Sequence, residues 1–177
     1  MKAVFLDRDG TVNVGFPTYD RVDEIHKVEL LPKTLEALHL LAEMDYKVFL
    51  VTNQAGLAEG IISESDFKKI NQKVLELISP SDIRIIETYV CPHAVDSQCE
   101  CRKPKPKLLK DAASKYGLEL EKSWMIGDRI SDVMTGVNAG TKTILVKTGD
   151  PDASSPEANY TAPSLLEAVE FIRSGRV

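Results

Sequence analysis

The sequence predicts an α/β fold, a Rossmann-like parallel sheet with helices on both faces. Short apolar runs of strand character alternate along the chain with segments whose apolar residues recur at helical spacing. The strand-like runs are largely apolar throughout, which is typical of strands covered on both sides. This alternation favours strand–helix–strand units with parallel strands. We therefore expect ligands to bind at the carboxyl ends of the strands.

Five strands and five helices follow from the alternation. The apolar runs predict buried strands over residues 3–6, 48–51, 83–90, 124–126 and 143–146. The helical spacing predicts helices over residues 32–44, 63–79, 107–116, 131–139 and 164–173. Ser63, with Asp66 three residues later, forms a capping pattern at the start of the second helix. Gly140 is the expected stop of the fourth helix.

Length, composition and charge restrict the class of protein. The chain has 177 residues, enough for one domain over residues 1–177 with a buried core. The net charge of -5 argues against nucleic acid or an anionic membrane surface as a partner. No apolar run approaches the roughly 20 residues of a membrane span, and the chain begins directly with a strand. We expect a cytoplasmic monomer that acts on a small molecule.

The first strand ends at two carboxylates in the run Asp7-Arg8-Asp9-Gly10-Thr11. Side chains two residues apart on an extended segment point to the same side. Buried carboxylates must be paired or bound to a cation, because burying a bare charge costs several kcal/mol. The pair therefore offers one carboxylate as nucleophile, one as acid and base, and a site for a hard cation such as Mg²⁺.

The other predicted strands also end at chemically useful side chains. Thr52 ends the second strand, Lys103 follows the third, and Asp128 follows the fourth with Asp132 one turn later. In one crevice, Asp7, Asp9 and Asp128 would hold Mg²⁺ and a phosphorylated substrate would complete its oxygen shell. Asp7 would attack phosphorus, Asp9 would move the proton, and Thr52 and Lys103 would stabilise the phosphoryl group.

Each of these residues also has a plainer interpretation when taken alone. Thr52 is compatible with a strand-end cap, and Gly127-Asp128 with an ordinary turn. Lys103 lies in a run of charged residues, which is usually a solvated face. The order of the four segments, each at a strand end, favours the catalytic interpretation.

The cysteines form a second cluster in a loop over residues 91–101. The pattern Cys91-Pro92-His93, followed by Cys99-Glu100-Cys101, uses every cysteine of the chain. Three thiolates and one imidazole fill the tetrahedral shell of a structural Zn²⁺ site. The alternative is three reduced cysteines near a histidine by chance. A metal here would orient Arg102 and Lys103, which follow directly.

These segments resemble the motifs of the haloacid dehalogenase superfamily of phosphohydrolases. The run from Asp7 to Thr11 is similar to its first motif, and Val51-Thr52-Asn53-Gln54 to its second. Lys103 is similar to its third motif, and the run from Gly127 to Asp132 to its fourth. The zinc loop resembles that of the subgroup containing heptose bisphosphate and histidinol-phosphate phosphatases. The resemblance implies a Mg²⁺-dependent aspartyl-phosphate mechanism, a Rossmann-like sheet and no large cap domain.

The resemblance also implies roles for individual residues. Asp7 would be the nucleophile, and Asp9 the acid and base as well as a magnesium ligand through its backbone carbonyl. Arg102 would join Thr52 and Lys103 in stabilising the phosphoryl group. Contacts to substrate or phosphate would come from Asn53, Gln54, Arg102 and Arg129.

The resemblance favours D-glycero-D-manno-heptose 1,7-bisphosphate as substrate, with removal of the C7 phosphate. The segment over residues 138–149 and the run Thr11-Val12-Asn13 are similar to the heptose enzymes. Histidinol phosphate is the alternative, since the compact zinc loop and the pair Asp128-Arg129 are similar to that group. Residues 14–28 should shape the substrate mouth and differ from the heptose pattern by a short insertion.

A receiver-type signalling domain is the non-enzymatic alternative. Such a domain also gathers acids, a hydroxyl and a lysine around Mg²⁺ at strand ends. Its phosphate-accepting aspartate follows the third strand, however, and here that strand ends at Val90-Cys91. The sequence therefore favours the enzyme.

Overall fold

The computed structural model describes residues 1–15 and 27–175. In these residues six strands form one sheet in the order β3-β2-β1-β4-β5-β6, and all neighbouring strands pair in parallel. The predicted α/β class is confirmed. The strands are β1 (Ala3–Leu6), β2 (Lys47–Asn53), β3 (Ile85–Cys91), β4 (Trp124–Gly127), β5 (Lys142–Val146) and β6 (Tyr160–Ala162).

The five predicted helices are present with small shifts at their ends. They are α1 (Thr34–Glu43), α2 (Glu64–Ile78), α3 (Lys107–Tyr116), α4 (Ile130–Ala139) and α5 (Leu165–Arg173). Short 3₁₀ turns occupy Ala55–Leu57, Ser79–Ser81 and Leu120–Lys122. Within the described ranges, no helix is both long and apolar enough to cross a membrane.

The predicted helix ends depend on local contacts. Ser63 precedes α2, and its side chain accepts a hydrogen bond of 3.1 Å from the Asp66 backbone N–H. Gly140 ends α4 with a φ of 87°, a left-handed conformation that favours glycine. The sequence prediction omitted β6, because a strand of three residues is too short to show a period.

The sheet buries side chains on both faces. Val4 and Leu6 of β1 pack in the core that also contains apolar residues of α1, α2 and α5. Ala3 and Phe5 point to the opposite face, where α3 packs. The alternation of side chains along β1 therefore joins two separate hydrophobic layers.

The strand order brings the carboxyl ends of β1 and β4 together at the centre of the sheet. From β1 the chain proceeds outward through β2 and β3, and it then returns to the other side of β1 for β4. The direction of winding reverses between β1 and β4, and such a reversal leaves a crevice at the carboxyl edge. The first residue after β1, Asp7, donates its backbone N–H to the Ile126 carbonyl of β4 over 2.9 Å.

Ser123 ties the start of β4 to the start of the central strand. Its buried hydroxyl accepts a hydrogen bond of 2.9 Å from the Ala3 N–H and donates one of 2.7 Å to the Glu119 carbonyl. We predict that Ser123→Ala lowers the free energy of unfolding by about 1–3 kcal/mol, because the buried Ala3 N–H loses this acceptor. Urea denaturation measures the change. Ser79→Ala is the control, since Ser79 makes a comparable bond to the Glu76 carbonyl on the surface and should change stability by at most about 0.5 kcal/mol.

Candidate active site

A cleft of about 740 Å³ opens at the carboxyl edge of the sheet. Its wall contains residues from the ends of β1, β2 and β4 and from the loop after β3. Eight of the nine residues predicted for catalysis, magnesium or substrate line it, namely Asp7, Asp9, Thr52, Asn53, Arg102, Lys103, Asp128 and Arg129. The ninth, Gln54, is buried behind the wall with 1% of its surface exposed.

Lys103 forms the central ionic contact of the cleft. Its Nζ lies 2.5 Å from Asp7 Oδ1 and 2.6 Å from Asp132 Oδ1. It donates hydrogen bonds to Asp7 Oδ1 and, over 2.9 Å, to the Val51 carbonyl, and its contact with Asp132 is an ion pair. Only 5% of Lys103 is exposed. The residue is therefore part of the cleft and not of a solvated charged face.

Three carboxylates share this small buried volume. Oxygens of Asp7, Asp128 and Asp132 lie within 4.8 Å of one another. Burial raises the pKa of Asp7 well above its usual range, the Lys103 ammonium opposes this rise, and Asp132 adds to it. Burial, followed by the charge of Asp132, raises the pKa of Asp128 as well. One ammonium does not offset three carboxylates, so the cluster favours a second cation.

The oxygen donors fit Mg²⁺, which binds in proteins through one or two carboxylates, water and substrate phosphate. The sequence prediction assigned this metal to Asp7, Asp9 and Asp128. The structure places Asp132 beside Asp7 and Asp128, whereas the Asp9 carboxylate is bonded to other side chains. This arrangement is compatible with an Asp9 contribution through its backbone carbonyl. Asp132 is the acid that the predicted ligand set lacked, although its position one turn after Asp128 is visible in the sequence.

Two glycines allow the backbone to approach the carboxylates of Asp128 and Asp132 closely. A Cβ atom on Gly149 would overlap the Asp128 carboxylate, and one on Gly127 would overlap that of Asp132. The loop after β5 therefore packs directly on the acid cluster. Thr148, beside Gly149, donates a hydrogen bond of 2.5 Å to the Gly10 carbonyl and fixes this loop to the turn after β1.

Asp9 is held by neighbouring side chains, three of which come from the described residues. Arg8 donates to it through Nε over 3.3 Å and through Nη2 over 2.7 Å. Asn13 Nδ2 donates to Oδ1 over 2.9 Å, and Gln54 Nε2 donates to Oδ2 over 2.8 Å. Although burial alone would raise the pKa of Asp9, the Arg8 guanidinium and these hydrogen bonds hold it below its usual range. Sequence reasoning assigned no role to Arg8 or Asn13, because their contacts with Asp9 depend on the turn after β1.

Two arginines border the cleft at its open side. Arg129 has 74% of its side chain exposed, with Nε 4.0 Å from Asp128 Oδ2. Arg102 is partly buried and donates to the His93 carbonyl over 3.3 Å. The cleft thus combines a buried acidic floor with a cationic rim. Residues 16–26, most of the stretch expected to shape the substrate mouth, lie outside the described residues.

The four predicted zinc ligands are close together. Cys91 Sγ lies 3.6 Å from His93 Nδ1 and 3.7 Å from Cys99 Sγ, and His93 Nδ1 lies 3.2 Å from Cys101 Sγ. The sulfur separation is too long for a disulfide bond. A tetrahedral shell with zinc–sulfur bonds of about 2.3 Å places its sulfurs about 3.8 Å apart. The donor set and spacing therefore fit Zn²⁺.

The chain is similar to known phosphatases over nearly its whole length. The HAD-hydrolase-like family model matches residues 100–168. A D-glycero-beta-D-manno-heptose-1,7-bisphosphate 7-phosphatase of Pasteurella multocida (strain Pm70) is 35% identical over 181 residues, with 97% of each chain covered. The enzyme of that name from Escherichia coli (strain K12) is 34% identical over 176 residues, covering 94% of this chain and 89% of the enzyme.

Solved structures show the same likeness. The D,D-heptose 1,7-bisphosphate phosphatase from B. bronchiseptica, crystallised with magnesium and phosphate, superposes with a TM-score of 0.88. It is 30% identical, and the match covers 99% of each chain. With these full-length relatives, the chain belongs to the haloacid dehalogenase superfamily, in the subgroup that contains these heptose bisphosphate phosphatases, and it is a phosphatase.

Proposed function

We propose that this phosphatase removes the C7 phosphate of D-glycero-D-manno-heptose 1,7-bisphosphate in a reaction that depends on Mg²⁺. One observation carries the chemistry: Lys103, 96 residues away in sequence, lies 2.5 Å from the Asp7 carboxylate inside the acidic cleft. The choice of substrate is supported by relatives of that activity at 34–35% identity over nearly full length.

The Asp7 carboxylate is the nucleophile of the proposed reaction. It attacks phosphorus, the bond to the leaving sugar oxygen breaks, and an aspartyl phosphate forms. Asp9 donates a proton to that oxygen and then accepts one from the water that hydrolyses the aspartyl phosphate. The lowered pKa of Asp9 keeps this carboxylate ionised, the form that accepts a proton from water, and the acid step requires that Asp9 first takes up a proton.

The surrounding groups stabilise the charge on the transferring phosphoryl group. The Thr52 hydroxyl accepts a hydrogen bond from Gln54, which leaves its own hydrogen available to a phosphoryl oxygen. Lys103 and Arg102 supply positive charge from the loop after β3. Asp7, Asp128 and the backbone carbonyl of Asp9 would hold Mg²⁺, with Asp132 adjacent, and the bound ion would neutralise the acids and orient the phosphoryl oxygens.

The cationic rim favours a substrate with a second phosphate. Arg129 and Arg102 line the cleft away from its buried floor and can pair with phosphate oxygens. Histidinol phosphate would instead bring a positively charged amine toward these arginines, which disfavours it.

Phosphate release from matched substrates tests the proposal. With Mg²⁺ present, we expect kcat/KM for the heptose 1,7-bisphosphate to exceed that for histidinol phosphate by at least about 100-fold. The reason is that the second phosphate can form charge-assisted hydrogen bonds with the arginines of the rim. NMR of the product should show that the C1 phosphate remains. Comparable values for all sugar phosphates would instead indicate a generalist phosphatase.

The nucleophile has its own test. Asp7→Asn keeps the side-chain shape but removes the attacking carboxylate, so we expect phosphate release to fall at least about 10³-fold. Circular dichroism and the urea midpoint check that the variant is folded. An Asp7→Asn protein that hydrolyses the bisphosphate as fast as wild type would refute the mechanism.

The zinc cluster is proposed to hold the loop that carries Arg102 and Lys103. We predict that Cys99→Ser loses bound zinc, measured by elemental analysis, and lowers kcat while the Mg²⁺ concentration for half-maximal activity stays unchanged. Val95→Ala, a change at an exposed residue of the same loop, should keep both zinc and activity. Full activity in protein verified to be zinc-free would contradict the role.

A further inference from the structure

The last residue of β2, Asn53, pairs with the backbone of Lys103. Its Oδ1 accepts a hydrogen bond of 3.1 Å from the Lys103 N–H, and its Nδ2 donates one of 3.3 Å to the Lys103 carbonyl. The amide thus contacts both polar backbone atoms of a residue 50 positions away. Such a double contact fixes the position and the rotation of the Lys103 backbone, from which the ammonium extends to Asp7.

The next residue, Gln54, connects two other groups of the cleft. Its Nε2 donates to Asp9 Oδ2 and to Thr52 Oγ1, both over 2.8 Å. These bonds use both hydrogens of the side-chain amide. Because 1% of Gln54 is exposed and it does not line the cleft, a substrate in the cleft has no access to it.

We propose that Asn53 and Gln54 are positioning residues for phosphoryl transfer and are not contacts for the sugar of the substrate. This inference rests on the proposed function and changes the role expected from the sequence. Asn53 holds Lys103 against Asp7, and Gln54 holds Asp9 relative to Thr52. Through two consecutive amides, the end of β2 positions groups that come from β1, from β2 and from the loop after β3.

Binding of the sugar and positioning of catalytic groups predict different kinetic changes. A residue that binds the sugar contributes to substrate affinity, and its loss raises KM for the full substrate only. A residue that orients Lys103 or Asp9 acts on the transition state, because small displacements of catalytic groups slow the chemical step. Its loss lowers kcat for every phosphomonoester, whatever the leaving group.

The test compares Asn53→Ala and Gln54→Leu on the best substrate and on the smallest phosphomonoester that wild type hydrolyses. We expect kcat to fall about 10-fold or more on both compounds, with KM changed by less than about threefold, since each variant loses hydrogen bonds that matter in the transition state. Asn71→Ala and Gln72→Leu, at two amides of α2 that do not line the cleft, are the matched controls and should leave both constants unchanged.

A nearly isosteric variant separates positioning from packing. Gln54→Met keeps nearly the size of the side chain but cannot donate to Asp9 or Thr52, so we expect a loss of kcat comparable to that in Gln54→Leu. If Gln54 only filled space, Gln54→Met would retain wild-type kcat, and that result would overturn the inference.

Two further outcomes distinguish this inference from the proposed function. A rise in KM confined to the larger substrate would show that Asn53 or Gln54 binds the sugar, and it would leave the proposed function intact. Wild-type protein that releases no phosphate from any compound tested would refute the proposed function itself, and with it the inference.

Discussion

The structure depends on charge compensation in a buried crevice. Asp7, Asp128 and Asp132 lie within a few ångströms of one another, and the Lys103 ammonium lies between two of them. Without that ammonium the desolvated carboxylates would repel one another, and protonation of one of them would relieve the repulsion. This shortage of positive charge favours binding of a second cation, and Mg²⁺ is the ion that we propose there.

The parallel sheet makes this concentration of charge possible. Each segment that lines the cleft with charged side chains begins where a buried strand ends, and the reversal of winding between β1 and β4 leaves the space that the three aspartates share. Side chains on both faces of the strands lie in apolar layers, so the backbone positions at the carboxyl edge are fixed. Glycines at 127 and 149 allow the neighbouring backbone to approach the acids closely.

The loop after β3 supplies the cations, and we propose that it is fixed from two sides. On one side four ligand atoms of the cysteine cluster gather at a spacing that fits zinc, immediately before Arg102 and Lys103 in the chain. On the other side Asn53 pairs with the Lys103 backbone. A loop outside regular secondary structure has little intrinsic order, so contacts of this kind determine where its lysine lies.

In the part of the chain that the structure describes, the sequence by itself determined the fold class, five of the six strands and the five helices, because apolar periodicity and capping are local properties. It also determined which polar residues follow the first four strands. The spacing of the cysteines and histidine, which predicts a zinc site, is local as well. Only the tertiary structure decided the partners of Lys103, the place of Asp132 in the acid cluster, and the burial of Gln54 behind the wall of the cleft. It also decided how Arg8 and Asn13 hold Asp9. Most of these contacts join residues tens of positions apart, and those of Arg8 and Asn13 depend on how the chain turns after β1. Neither kind of contact leaves a periodic signal in one chain.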